Sequence, residues 1–80
     1  MSNRNCPAEQ ARLQALLRRL RTQTGFTQSE LARKLNQPQS FVSKYESGER
    51  RLDVLELRRV CEELGVSLQD FAARLEETLK

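Results

Sequence analysis

The sequence predicts an all-α protein, a compact bundle of five helices in a single domain over residues 1–80. Apolar residues recur three and four positions apart in five segments, which is the spacing of one buried helix face. Residues that cap or end helices stand between these segments. Hydrophobic residues make up 38% of the chain and aromatic residues only 5%, so the core must consist mainly of leucine, valine and alanine.

The first helix is predicted to begin at Pro7 and to end at Gly25. Proline suits the first helical position because its φ is already helical, and Glu9 places a negative charge in the first turn. The apolar stripe that faces the core is Leu13, Leu16, Leu17 and Leu20. This spacing indicates an amphipathic helix with one buried face.

A second helix is predicted to start at Thr27, which forms a capping box with Glu30. Its buried face carries Leu31, Ala32 and Leu35. The small side chain of Ala32 lets another helix approach closely. Asn36 follows, and asparagine tolerates the left-handed backbone of a sharp turn. Pro38 suits a turn or the first positions of a helix, so a third helix should begin just after it.

The third helix should bury Val42 and Tyr45 and end at Gly48. Its outward residues are Gln39, Ser40, Ser43 and Lys44. Glutamine can bridge N6 and N7 of adenine, serine can bond to any base, and lysine favours guanine or phosphate oxygens. The pattern predicts a helix-turn-helix over residues 27–47 with a recognition helix over 39–46 that enters the major groove of DNA. The alternative is a short surface helix with ordinary solvated side chains.

The fourth helix is predicted to begin at Asp53, which forms a capping box with Glu56, and to end at Gly65. Its expected buried face is Val54, Leu57, Cys61 and Leu64. In the preceding loop, Arg50 and Arg51 are well placed for phosphates on one side of the groove. Alternatively, these two arginines are solvated loop charges.

The last helix is predicted over residues 67–79, starting from Ser67 with Asp70. Leu68, Phe71 and Ala72 should complete the core of the monomer. Leu75 and Leu79 extend past what a small domain can cover, so we expect both to be exposed. Together with Leu55 they predict a homodimer seam. The alternative is a last helix that packs only on its own chain.

Charge is distributed unevenly along the chain, whose formal net charge is +3. Up to Arg51 there are ten basic and four acidic residues, whereas from Leu52 onward there are four basic and seven acidic residues. A basic first part and an acidic second part fit a protein that presents one face to a polyanion.

The segment 20–64 resembles the repressor/Cro-type helix-turn-helix domain of the XRE-like family of bacterial and phage regulators. The matching residues are Leu20, Arg21, Gly25, Thr27, Gln28, Glu30, Leu31, Ala32, Val42, Ser43, Glu46, Gly48, Leu64, Gly65, Val66 and Ser67. The resemblance implies a five-helix fold of the lambda-repressor-like DNA-binding type.

The resemblance also implies roles for individual residues. Gln28 would lie against a phosphate. The base-reading and phosphate-contacting positions would be Gln39, Ser40, Ser43 and Lys44. Arg21 and Glu46 would form a buried pair that fixes the orientation of the first helix and the recognition helix. Pro38 stands where the family often has a serine or threonine cap, which leaves the start of the recognition helix open.

Other chemistries are not expected. The chain has no histidine, and Cys6 and Cys61 are isolated, so we predict no metal site, no disulfide and no cofactor. It has neither an activated nucleophile nor a phosphate-cradling glycine loop, which argues against an enzyme. No apolar run approaches the roughly 20 residues that span a bilayer, and no signal peptide is evident. We therefore expect a cytoplasmic protein with no membrane partner and no small-molecule ligand.

These observations predict a transcriptional regulator that binds double-stranded DNA sequence-specifically. It would act as a homodimer on a palindromic operator and repress by occluding a promoter. The alternative is a helix-turn-helix protein-interaction module or an antitoxin-type partner of another protein. Phe41 gives this alternative some support, because an aromatic side chain near the outer face of the recognition helix could anchor a protein.

Overall fold

Five helices form the described part of the chain, residues 7–80 of a computed structural model. They are α1 (Pro7–Thr24), α2 (Gln28–Lys34), α3 (Gln39–Ser47), α4 (Val54–Glu63) and α5 (Leu68–Leu79). No strand occurs within these residues. The predicted all-α, five-helix fold is confirmed. Cys6 lies outside the described residues.

Side-chain caps start three of the helices at the predicted positions. Thr27 Oγ1 accepts from the Glu30 amide at 3.0 Å, and the Glu30 carboxylate accepts from the Thr27 amide at 2.8 Å. Asp53 heads α4 with the same reciprocal pattern. Ser67 Oγ accepts from the backbone amide three residues on, at 2.9 Å. Each bond satisfies a backbone amide that the first turn of a helix leaves without a partner.

The turn between α2 and α3 depends on a left-handed residue. Asn36 has φ +60, and the amide of Gln37 donates back to the Ala32 carbonyl at 2.9 Å. Pro38 then occupies the N-cap position of α3 with extended backbone and no side-chain cap. The departure from a serine or threonine cap is therefore tolerated, because the proline φ of −67 suits this position and α3 begins at Gln39.

The core lies between the helices and is almost wholly aliphatic. Its buried members are Leu16, Leu17, Leu20, Leu31, Ala32, Leu35, Val42, Tyr45, Val60, Cys61, Leu64 and Phe71. α2 packs on α3, α1 contacts both α3 and α5, and α4 contacts α5. The helix-turn-helix therefore rests on α1, and α5 joins α1 to α4 behind it.

Two positions expected in the core lie on the surface. Val54 is 61% exposed, and Val60 takes a place in the core instead. Val54 has the helical spacing of the buried face, but it is the first residue of α4 and extends past the margin of the packed layer. Ala72 is also exposed, so Phe71 is the only residue of α5 that is fully buried.

The three residues of the expected dimer seam differ in exposure. Leu55 is 70% exposed, in agreement with a free apolar surface. Leu75 and Leu79 are half-buried, and Leu75 packs against the core. The expectation that these two leucines are exposed was therefore wrong. α5 runs along α1, and this contact covers part of its last two turns.

Candidate nucleic-acid interface

The outer face of α3 carries polar side chains on an apolar base. Val42 and Tyr45 are buried and hold the helix against the core. Gln39, Ser40 and Lys44 are exposed and Ser43 is half-buried. All four predicted residues therefore reach the surface of one helix, three of them fully. Their hydrogen-bonding groups match those that read base edges or bind phosphates in the major groove.

A buried carboxylate anchors this helix to α1. Glu46 Oε2 accepts from Arg21 Nε at 2.7 Å, and Glu46 Oε1 accepts from Arg21 Nη2 at 3.0 Å. The third nitrogen of the Arg21 guanidinium, Nη1, donates to the Phe26 carbonyl at 2.9 Å. The Glu46 side chain has no exposed surface, and that of Arg21 is 12% exposed. The pair implied by the resemblance is therefore present and fully hydrogen-bonded.

The ion pair shifts both titrations toward the charged forms. Burial on its own raises the pKa of Glu46, but hydrogen bonds from Arg21 and Gln28 outweigh burial and hold the pKa below its ordinary value. The hydrogen bond to Glu46 raises the pKa of Arg21, against a smaller opposing effect of burial. Both groups therefore remain ionised at neutral pH, as a buried pair requires.

Gln28 links the buried pair to the recognition helix. Its Nε2 donates to Glu46 Oε1 at 2.9 Å, and its Oε1 accepts from Gln39 Nε2 at 2.8 Å. The sequence analysis assigned Gln28 a phosphate contact and missed this link. The spacing carried a signal, because Gln28 and Gln39 are the first residues of two helices that pack on each other.

The order of donors and acceptors in this chain of hydrogen bonds follows from the carboxylate. An ionised Glu46 can only accept, so the amide nitrogen of Gln28 must face it and the amide oxygen must face Gln39. Gln39 then uses one N–H toward Gln28 and keeps its oxygen and its second N–H for another partner. One acceptor beside one donor is the pattern that pairs with N6 and N7 of adenine.

Arg50 has partners within the protein on three sides. Its guanidinium donates to both carboxylate oxygens of Glu56, at 3.1 and 2.8 Å, and to the Arg51 carbonyl at 3.2 Å. It also lies 4.7 Å from the centre of the Phe41 ring, which packs edge-on against Tyr45. The hydrogen bond with Glu56 raises the pKa of Arg50 and lowers that of Glu56. The arrangement joins α3, the loop and α4, while Arg51 lies exposed beside it.

Comparisons with known proteins agree with this geometry. A family model described as helix-turn-helix (HTH_3) matches residues 17–71, over half of the chain. The chain belongs to the XRE-type helix-turn-helix family. An XRE-family like protein from Pseudomonas syringae pv. tomato str. DC3000 is 42% identical, with a TM-score of 0.84 over 91% of this chain and 89% of that one.

A second solved structure extends the likeness within the XRE-type family. The clp gene regulator ClgR from Corynebacterium glutamicum is 29% identical, with a TM-score of 0.79 over 91% of this chain and 78% of that one. None of the curated proteins compared with the chain matches it significantly. The XRE-type family is one of DNA-binding transcription regulators, not of enzymes.

Two further searches of this XRE-type domain concern metals and membranes. Within residues 7–80, no group of three or more Cys, Asp or Glu side chains is arranged to hold a metal ion. None of the five helices in the same range is both long and apolar enough to cross a bilayer. Cys61 is a free, buried thiol whose pKa is raised to about 11 by burial, so it serves as a core residue.

Proposed function

We propose that this XRE-type protein regulates transcription by binding duplex DNA sequence-specifically, with the recognition helix 39–46 in the major groove. The observation that carries the proposal is the chain of hydrogen bonds from Arg21 through Glu46 and Gln28 to Gln39. An exposed side chain held in one rotamer by neighbours loses little entropy when it binds. Gln39 is therefore prepared to read an adenine, with its free oxygen and N–H toward N6 and N7.

The other outward residues complete the proposed contact surface. Ser40 and Ser43 suit base edges or phosphates, and Lys44 suits a guanine or a phosphate. Gln28 keeps its proposed phosphate contact through the lone pair of its oxygen that Gln39 does not use. In the loop, Arg51 is the proposed phosphate contact. Arg50 stays in the proposal at the same edge, although most of its donors already bind Glu56 and a carbonyl.

A homodimer acting as a repressor is the proposed functional form. One α3 reads only a few base pairs, so two copies would bind a palindromic operator whose half-sites are about 34 Å apart. Leu55 and Val54 together expose an apolar surface at the start of α4, and Leu79 is half-exposed at the end of α5. The proposed seam comprises Leu55, Leu79 and the exposed edge of Leu75. Because it acts on DNA, the protein is proposed to work in the cytoplasm.

The first test is selection of random duplex DNA on the purified protein near physiological salt, followed by sequencing. The expected result is a palindrome containing adenine in each half-site. Gln39→Ala should weaken binding to the selected duplex by about 1–3 kcal/mol. Gln69→Ala is the matched control, since it removes the same amide from an exposed position on α5. Folded protein that enriches no sequence would contradict the proposal.

The second test is the oligomeric state. Sedimentation of the wild-type protein should give a dimer, and Leu55→Lys should give a monomer of unchanged helicity. Ala15→Lys, which adds the same charge at an exposed position of α1, is the control and should remain dimeric. A wild-type protein that stays monomeric on its operator would exclude the proposed seam.

The alternative proposal is a protein-interaction module or an antitoxin-type partner. Phe41 no longer supports it, because the ring lies beneath Arg50 and against Tyr45. The exposed pair Val54 and Leu55 favours it instead, since an apolar surface can receive another protein. Duplex binding that weakens steeply with salt would favour the regulator, whereas salt-insensitive capture of one protein would favour the alternative.

A further inference from the structure

A second arginine of α1 reaches the carboxylate that anchors the recognition helix. Arg18 Nε lies 3.6 Å from Glu46 Oε1, the same oxygen that accepts from Gln28. The two arginines of α1 differ in environment, because the Arg18 side chain is 60% exposed and that of Arg21 only 12%. Arg18 therefore extends the polar surface of α3 and α2 onto a helix outside the helix-turn-helix.

The charge of Arg18 is not needed by the buried site. Arg21 already neutralises Glu46 through two hydrogen bonds, and Gln28 supplies a third donor. At 3.6 Å, Arg18 makes an electrostatic contact without a hydrogen bond to the carboxylate. Two arginines around one glutamate leave one positive charge, and that charge lies at the solvent-exposed end of the cluster. In the described part of the chain, the Arg18 guanidinium has no hydrogen-bond partner.

We propose that Arg18 binds a phosphate of the DNA backbone and that Glu46 holds its guanidinium beside Gln28 for this purpose. The inference rests on the proposed function. Gln28 bonds to Gln39, so Arg18 lies one side chain behind the residue proposed to read a base. A helix in the major groove is flanked by the two backbones, and a guanidinium suits the paired oxygens of a phosphate.

The neighbouring Arg19 provides a matched control. It lies on α1 one residue later, is exposed, and carries the same charge. Its side chain lines a different groove, between α1 and α5, together with Arg74 and Glu77. Substitution of either arginine by glutamine therefore makes the same change in net charge and helix composition. Only the Arg18 variant should remove a group from the proposed DNA surface.

The experiment measures Kd against salt concentration for the selected duplex with wild type, Arg18→Gln, Arg18→Lys and Arg19→Gln. Arg18→Gln should reduce the slope of log Kd against log salt by about 0.9, which is the loss of one phosphate contact. Arg18→Lys should keep most of the slope, because an ammonium also binds phosphate. Arg19→Gln should leave the slope at the wild-type value. Selection with Arg18→Gln should return the wild-type motif, since phosphate contacts carry no sequence information.

The outcomes separate this inference from the proposed function. Wild type that binds the duplex while Arg18→Gln keeps the wild-type slope would overturn the phosphate contact alone. An unchanged slope with an altered motif would do the same and would give Arg18 a purely positioning role for Glu46 and Gln39. Wild type that binds no duplex would overturn both proposals. Thermal unfolding of Arg18→Gln at the wild-type temperature would establish that any loss of binding is local.

Discussion

Arg21 and Glu46 join α1 to the recognition helix through two hydrogen bonds, of 2.7 and 3.0 Å, to a carboxylate with no exposed surface. Removing two charges from water costs free energy that their attraction offsets only when every polar group has a partner. Here the carboxylate also accepts from Gln28, and the guanidinium also donates to a carbonyl. The pair therefore acts chiefly to set the angle at which α3 lies on α1.

Glu46→Gln should lower the free energy of unfolding by about 3 kcal/mol, because it leaves the mostly buried Arg21 guanidinium without its counter-charge. Denaturant titration followed by circular dichroism measures this change. Glu49→Gln, which makes the same substitution at an exposed loop position, is the control and should lie within about 0.5 kcal/mol of wild type. Equal stability of wild type and Glu46→Gln would mean that the pair contributes no net orientation energy.

The same pair predicts the direction in which stability depends on pH. The pKa of Glu46 is lower in the folded protein than in the unfolded chain. Its contribution is therefore complete above the unfolded pKa, about 4.3, and is lost as pH falls through the lower folded value. The free energy of unfolding should decline below about pH 5 in wild type. Glu46→Gln should show a shallower decline, with the remainder coming from Glu30 and Glu56, whose pKa values are also lowered.

Gln28 and Gln39 should be coupled in DNA binding. Because Gln28 orients the Gln39 amide, Gln28→Ala should remove part of the Gln39 contribution as well as its own phosphate contact. In a double-mutant cycle on the selected duplex, the two losses should exceed the loss of the double variant by about 1 kcal/mol. Strictly additive losses would show that the hydrogen bond between the two amides has no part in recognition.

Tyr45→Phe should leave the protein at least as stable as wild type. The Tyr45 hydroxyl is buried, and within residues 7–80 it has no hydrogen-bond partner. Burial also raises the pKa of this phenol. An unpaired buried hydroxyl costs about 1–3 kcal/mol, and phenylalanine keeps the ring that packs against Phe41. Denaturant titration that shows a loss above about 1 kcal/mol would reveal a partner for the hydroxyl, such as a bridging water.

Ala32→Leu should separate the two helices of the motif. Ala32 is buried where α2 packs on α3, so three added carbons have no space there. Overpacking of this kind costs about 1–3 kcal/mol and should lower the melting temperature. Ala15→Leu, at an exposed position of α1, is the control because alanine and leucine have similar helix propensities. An unchanged melting temperature for Ala32→Leu would mean that the interface can open at little cost.

The helices and their ends could be predicted because the interactions that define them are local. Thr27 and Glu30, or Asp53 and Glu56, are three residues apart, so their hydrogen bonds form whatever the rest of the chain does. Asn36 was likewise readable, since its left-handed backbone is a property of one residue. The inward face of α3 followed from helical spacing alone. The outward face then followed by exclusion, and with it most of the candidate DNA surface.

The partners of the polar side chains depended on how the helices pack. Gln28 and Glu46 are 18 residues apart, and Arg18 meets the same oxygen from a third helix. Arg50, an apparent loop charge, finds Glu56 and the Phe41 ring only because α3 and α4 lie side by side. Packing also decided that Val54 is exposed and Leu75 is partly covered, although both have core spacing. Periodicity states which side of a helix is apolar, whereas contact with a neighbouring helix decides how far along its length that side is buried.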